Sequence, residues 1–190
     1  MGFCLFNNIA VAAQHAIDQH DLRRVLIVDW DVHHGNGTQD IFYDDDRVLF
    51  FSMHRHPFYP GSGLASETGM GDGLGYTVNL PVDVQQTGDE ILSQFKQRLD
   101  RSVQSFKPEL VLISAGFDAH HRDPIGGLRI DKEHFRDLLD FVLDIGDEYA
   151  GGKVVSMLEG GYNVGVLADC VAEHVQGLVQ RSQEMGLIRD

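Results

Sequence analysis

The stretch Val25-Leu26-Ile27-Val28-Asp29-Trp30-Asp31-Val32-His33-His34-Gly35-Asn36-Gly37 limits the fold more than any other part of the chain. Four branched apolar residues in a row predict a strand buried on both faces, as in parallel sheets. Side chains alternate along extended backbone, so Asp29, Asp31 and His33 leave the strand end on one side. Open parallel sheets bind ligands outside the carboxyl ends of their strands. Two carboxylates and an imidazole converging there form a candidate metal site. An acidic turn, with histidines that only cap or hydrogen-bond, fits the same residues.

Further apolar runs at Val48 to Met53, Tyr76 to Leu80, Leu110 to Ser114 and Val154 to Leu158 predict more strands. Helical patterns lie between them. The first carries Ile9, Ala13, Ala16 and Ile17 on one face behind a cap at Asn7 or Asn8. A short one follows with Ile41 and Phe42, and Thr87 to Glu90 is a capping box ahead of Ile91, Phe95, Leu99 and Val103. Asp131 caps a helix with Phe135, Leu138, Leu139, Val142 and Tyr149, and a last helix runs through Val164, Leu167, Val171, Val175 and Leu178. This alternation predicts a three-layer α/β/α fold with a mostly parallel sheet. Glycines at 69, 71, 73 and 75 lack the Gly-Lys-Ser/Thr of a phosphate loop, so tight turning or close backbone packing is the expectation.

At 190 residues the chain is read as one domain, 1–190, with no internal repeat or linker. No apolar run approaches the roughly 20 residues of a membrane span, and no signal-peptide pattern is seen. The formal charge of −14 argues against nucleic acid and favours cationic small molecules or basic peptides, although solubility alone accounts for most of it. Two cysteines, Cys4 and Cys170, give no disulfide framework, which points to a reducing compartment such as the cytoplasm.

Asp118, just past the strand at Leu110 to Ser114, is a third donor beside Asp31 and His33. Zinc held by two carboxylates and one neutral imidazole keeps a position open, as catalytic sites do. It would lower the pKa of its water to about 7 and polarise a carbonyl. Beyond Leu158, Gly160 and Gly161 let the backbone bend close and swing Tyr162 inward, where its hydroxyl could donate to an oxyanion. Taken singly, Tyr162 is more often a buried core tyrosine. Together the three strand ends describe a hydrolase for an amide or ester carbonyl.

Asp29-x-Asp31-x-His33-His34-Gly35-Asn36-Gly37-Thr38, Gly116-Phe117-Asp118-Ala119-His120 and Glu159-Gly160-Gly161-Tyr162-Asn163 resemble the histone deacetylase family of zinc amidohydrolases. Gly2-Phe3-Cys4-Leu5-Phe6-Asn7-Asn8 and the alternate glycines resemble it too, while the Gly116-Phe117-Asp118-Ala119-His120 form and Asn36 look closer to the class II branch and its bacterial relatives, including acetylpolyamine amidohydrolases, than to class I. The resemblance implies an arginase/deacetylase-like fold in which Asp31, His33 and Asp118 bind one Zn2+ and Tyr162 polarises the acetyl carbonyl. It implies Phe3, Tyr59, Gly160 and Gly161 along a tunnel for an acetylated lysine peptide or acetylpolyamine. Tyr59 stands where the family usually has phenylalanine, and ordinary core packing would also account for Phe3 and Tyr59. Asp29, His34, Asn36 and Ser52 would be supporting residues, with Asp29 and the Ser52 region beside a monovalent cation, K+. His54, His56, His120, His121 and His174 are expected to be structural or exposed.

The family places a His-His pair, its general base and acid, shortly before the Gly-Phe-Cys motif, and Met1 directly precedes Gly2 here. His33-His34 is no substitute, because His33 is committed to the metal. The expectation is therefore the C-terminal part of a deacetylase, missing N-terminal strands, catalytically incomplete by itself and left with an unpaired sheet edge. Two other readings stay open. An arginase-like ureohydrolase with two manganese ions would need a carboxylate where Gly35 stands. A non-catalytic module would bind acetylated ligands without turnover.

Overall fold

In the computed structural model, which describes residues 4–186, the chain forms a five-stranded sheet in the order β3-β2-β1-β4-β5. In chain order the elements are α1 (Asn8–His20), β1 (Val25–Asp29), α2 (Asn36–Ile41), β2 (Val48–Arg55), β3 (Thr77–Val82), α3 (Gly88–Phe106), β4 (Leu110–Ala115), α4 (Lys132–Ala150), β5 (Val154–Leu158) and α5 (Val164–Glu184). Every strand pair is parallel, so the expected mostly parallel sheet is parallel throughout. No helix among the described residues is long and apolar enough to cross a membrane.

The alternation of β1 divides the core. Leu26 and Val28 pack with Phe51, Val111, Ile113 and helices α3, α4 and α5 on one face. Val25 and Ile27 pack with Phe50, Leu112 and α1 on the other. Each such side chain, removed from water, contributes about 1.5–3 kcal/mol. Local chemistry starts the helices where the sequence predicted. Asn7 accepts from the Ala10 N–H, and Thr87 with Glu90, like Asp131 with His134, makes a reciprocal capping box.

The third strand differs from expectation, starting at Thr77 and running to Val82, and β2 continues past Met53 to Arg55. His54 can sit fully buried in β2 because its two ring nitrogens meet Ser52 Oγ and the Gly63 carbonyl, each at 2.9 Å. Gly69 and Gly73 act as close-packing glycines. A side chain on Gly69 would strike the Gly73 carbonyl, and one on Gly73 would meet the Tyr43 carbonyl.

From β1 the chain builds outward through β2 and β3, then returns to lay β4 and β5 on the other side of β1. The crevice between β1 and β4 is therefore the topological switch point, and its carboxyl end is where such sheets hold ligands.

Candidate metal centre

Asp29 of β1 is in register with Ser114 of β4, and Ala115 with Leu158 of β5, so the three strands end level. The loops leaving those ends carry Asp31 and His33, Asp118, and Gly160 to Tyr162. One ligand atom from each of Asp31, His33 and Asp118 lies within 4.8 Å of the others, the one such group found among the described residues. His33 Nδ1 is 2.9 Å from Asp31 Oδ1 and 3.1 Å from Asp118 Oδ2.

Backbone donors fix these carboxylates. Asp31 Oδ1 accepts from the His33 N–H and Asp31 Oδ2 from the Gly160 N–H, both at 2.8 Å. Asp118 Oδ1 accepts from the Val32 N–H at 2.8 Å, tying β4's loop to β1's. Asp118 Oδ2 is buried with no aligned hydrogen bond, although His33 Nδ1 lies 3.1 Å away. A buried carboxylate oxygen without an aligned donor is costly, and a cation at this point would compensate it. Gly160 leaves the space open, since a Cβ there would run into Asp118 Oδ2 and Asp31 Oδ2. The donor set therefore fits a divalent metal ion.

The electrostatics agree. The Asp118 carboxylate and then the Asp31 carboxylate, 3.1 and 2.9 Å from His33 Nδ1, hold the imidazole up at about 10, so this spot favours positive charge. Burial pushes Asp118 up to about 6, with the His33 contact pulling the other way. Burial, followed by the charges of Asp118 and Asp31, pushes the Tyr162 phenol up to about 12. Tyr162 Oη therefore keeps its proton at neutral pH and can donate it in a hydrogen bond.

The histone deacetylase domain profile matches residues 1–178 of this sequence. The chain belongs to the histone deacetylase family. It is 44% identical over 173 residues to the chloroplastic histone deacetylase 10 of Oryza sativa subsp. japonica, covering 91% of this chain and 39% of that protein. It is 45% identical to the human polyamine deacetylase HDAC10 over 185 residues, 94% of this chain and 27% of that one. A probable deacetylase of Archaeoglobus fulgidus is 43% identical over 164 residues, 86% of this chain and 45% of that protein. The crystal structure of the HDA15 HD domain superposes with a TM-score of 0.85 at 40% identity, covering 95% of this chain and 51% of the other. The chain thus spans about two fifths of the length of the first curated relatives it matches, 39% and 42%.

Around the Asp31, His33 and Asp118 group of this histone deacetylase family member, the other expected site residues are placed unevenly. Asp29 is buried, accepts from the Asp31 N–H at 3.0 Å and sits opposite Ser52 in the β1–β2 register. Burial, then the charges of Asp31 and Glu159, raises its pKa well above the usual carboxylate range. Ser52 Oγ is hydrogen-bonded to His54. His34 turns away from the trio, with its ring nitrogens 2.8 Å from Ser62 Oγ and 3.0 Å from Gln39 Oε1, and burial lowers its pKa. Asn36 opens α2 and its N–H bonds to the His34 carbonyl. Gly161 backs onto Leu167. Phe3 lies outside the described residues.

Of the neighbouring aromatics, Phe58 stacks on the His33 ring at 5.2 Å and 20°, whereas Tyr59 meets it edge-on at 6.2 Å and is 53% exposed. Phe58, which Arg55 covers from 4.3 Å, thus lies closer to the His33 ring than Tyr59 does. Sequence reading also passed over Asp123, a buried carboxylate that takes backbone hydrogen bonds from both sides of the site. Its position before Pro124 was the one local signal.

Proposed function

We propose that this chain carries the metal-binding and carbonyl-polarising part of a zinc-dependent deacetylase that removes N-acetyl groups from lysine side chains or polyamines. The observation that carries the reading is the convergence of Asp31, His33 and Asp118 at one strand-end crevice, with the protonated Tyr162 phenol in their field. A bound zinc ion would supply Lewis-acid polarisation of the acetyl carbonyl and of the attacking water. Asp31 and Asp118 hold their oxygens toward the shared point through the Gly160 and Val32 N–H groups. Tyr162 donates a hydrogen bond to the oxygen that becomes negative as water adds to the carbonyl carbon. Phe58 and Tyr59 flank His33 and exclude water around the substrate's methylenes. On this reading Asp29 and Ser52, register partners on adjacent strands, border a monovalent cation, K+.

One such ligand group among the described residues, with Gly35 where a second metal would need a carboxylate, supports one ion per chain. The acid–base imidazole pair implied by the family is not assigned within these 190 residues, so the chain alone is proposed to turn over slowly. The acidic balance favours cationic acetylated substrates, and the two unpaired cysteines suit the cytoplasm. Purified protein loaded with zinc should hold one ion per chain and cleave an acetyl-lysine peptide or an acetylpolyamine at a low rate abolished by chelation. Two manganese ions per chain, or hydrolysis indifferent to chelator, would refute the proposal.

A further inference from the structure

Asp123 lies outside the metal-ligand trio, yet it touches both loops that frame it. The side chain is buried, 8% exposed. Its Oδ1 accepts from the Ile125 N–H at 2.8 Å and the Gly126 N–H at 3.2 Å, within the loop that follows Asp118. Its Oδ2 accepts from the Tyr162 N–H at 2.8 Å and the Asn163 N–H at 3.3 Å, in the loop that follows β5. A buried carboxylate is costly unless its oxygens are hydrogen-bonded, and here backbone donors supply those bonds. The result is a fixed bracket between the two loops.

The bracket bears on the backbone of the proposed carbonyl-polarising residue. Gly160 is held by its N–H to Asp31, and its carbonyl accepts from the Phe117 N–H at 2.6 Å. The segment from Gly160 to Asn163 is then anchored at the metal side by Asp31 and at the far side by Asp123. Asn163 continues the anchor, because its side chain caps α5 through the Val166 N–H and donates to the Arg122 carbonyl at 2.9 Å. Tyr162 lies between these anchors, and an error of about 1 Å in such a group can cost on the order of 10²-fold in rate.

We infer that Asp123 is a positioning residue that sets the Tyr162 hydroxyl over the metal site by holding the Tyr162 and Asn163 backbone N–H groups. The inference rests on the role given to Tyr162 in the proposed deacetylase reaction. The four hydrogen bonds to the Asp123 carboxylate come from Ile125, Gly126, Tyr162 and Asn163 and not from Asp31, His33 or Asp118, so it acts through Tyr162.

The test labels all five tyrosines of the zinc-loaded chain with 3-fluorotyrosine and reads them by fluorine NMR, with Tyr162→Phe assigning the Tyr162 line. In Asp123→Ala the Tyr162 line should shift or broaden while those of Tyr43, Tyr76 and Tyr149 hold, and zinc affinity should stay unchanged. Asp123→Asn, which keeps one accepting oxygen, should recover part of the wild-type line. Turnover of an acetyl-lysine peptide should lose kcat with KM unchanged, and adding Asp123→Ala to Tyr162→Phe should cost nothing further. An unmoved Tyr162 line in folded Asp123→Ala overturns the inference, as does movement of every line together with loss of zinc. Should Asp123→Ala not fold, Asp123→Asn decides by the same criteria. Failure of the deacetylase reading would look different: wild-type protein would neither bind zinc nor cleave the peptide, while its Tyr162 line still answered to position 123.

Discussion

Gly160 donates its N–H to Asp31 Oδ2 at 2.8 Å, joining loops 129 positions apart in the chain. The approach is possible only because residue 160 has no side chain, since a Cβ there would stand against Asp31 Oδ2 and Asp118 Oδ2. Gly160→Ala should therefore spread the carboxylates and weaken zinc binding by about 10–100-fold, the range seen when groups supporting metal ligands are disturbed. Competition with a chelating dye measures it, and unchanged affinity would show that the two carboxylates do not share an ion.

Asp118→Asn removes the charge from the most buried of the three donors. Zinc affinity should fall by more than about 100-fold, beyond the usual cost of losing a supporting residue. Zinc at a free concentration 100 times Kd should also stabilise wild-type protein by about 2.7 kcal/mol and so raise its melting temperature, and the variant should not gain this. Melting curves with and without added zinc give the answer, and equal gains in both proteins would remove Asp118 from the ligand set.

Tyr162→Phe keeps the ring and deletes the hydroxyl. The expected result is a fall of about 10²–10³-fold in kcat, the cost of one oxyanion donor, with KM and zinc content unchanged. Peptide hydrolysis beside metal analysis tests this. A normal kcat would leave Tyr162 as a core tyrosine and nothing more.

The contrast between what the sequence disclosed and what it hid follows from the range of the forces involved. Asn7, Thr87 with Glu90, and Asp131 act within three residues, so their caps were legible. Asp31, His33 and Asp118 each follow an apolar strand, and parallel pairing brings strand ends together whatever the intervening chain does. Asp123 was hidden because the Tyr162 and Asn163 N–H groups that define it lie 39 and 40 positions away. Which of Phe58 and Tyr59 faces His33 depends on the path of a loop with no periodicity to read. His54 stays in strand because Ser52 and Gly63 satisfy its ring, and no propensity rule could supply those partners.

β5 pairs with β4 and has no second neighbour among the described residues, while Val155 and Leu158 on it are 46% and 59% exposed. An open edge with apolar side chains is a template for another strand. The protein should self-associate as its concentration rises, and Val155→Lys should suppress this with little effect on folding. Sedimentation velocity over a range of concentrations decides, and identical behaviour of the two proteins would acquit the edge.

His174 provides the clearest pH dependence away from Asp31, His33 and Asp118. Its ring packs edge-on against Trp30 and Phe117 at 6.0 and 5.7 Å, and its Nε2 is 2.8 Å from Ser156 Oγ. Burial alone lowers its pKa from 6.5 to about 4. The folded state thus resists a proton that the unfolded chain accepts below 6.5. The stability contributed by the neutral ring is complete above that pH, and it is lost as the pH falls toward 4. At about 1.4 kcal/mol per unit, the loss is at most ~3.5 kcal/mol. His174→Phe cannot bind a proton, so urea unfolding at pH 7 and pH 4.5 should show a smaller drop in the variant than in wild type. Equal drops would mean that the buried imidazole is not what destabilises the protein in acid.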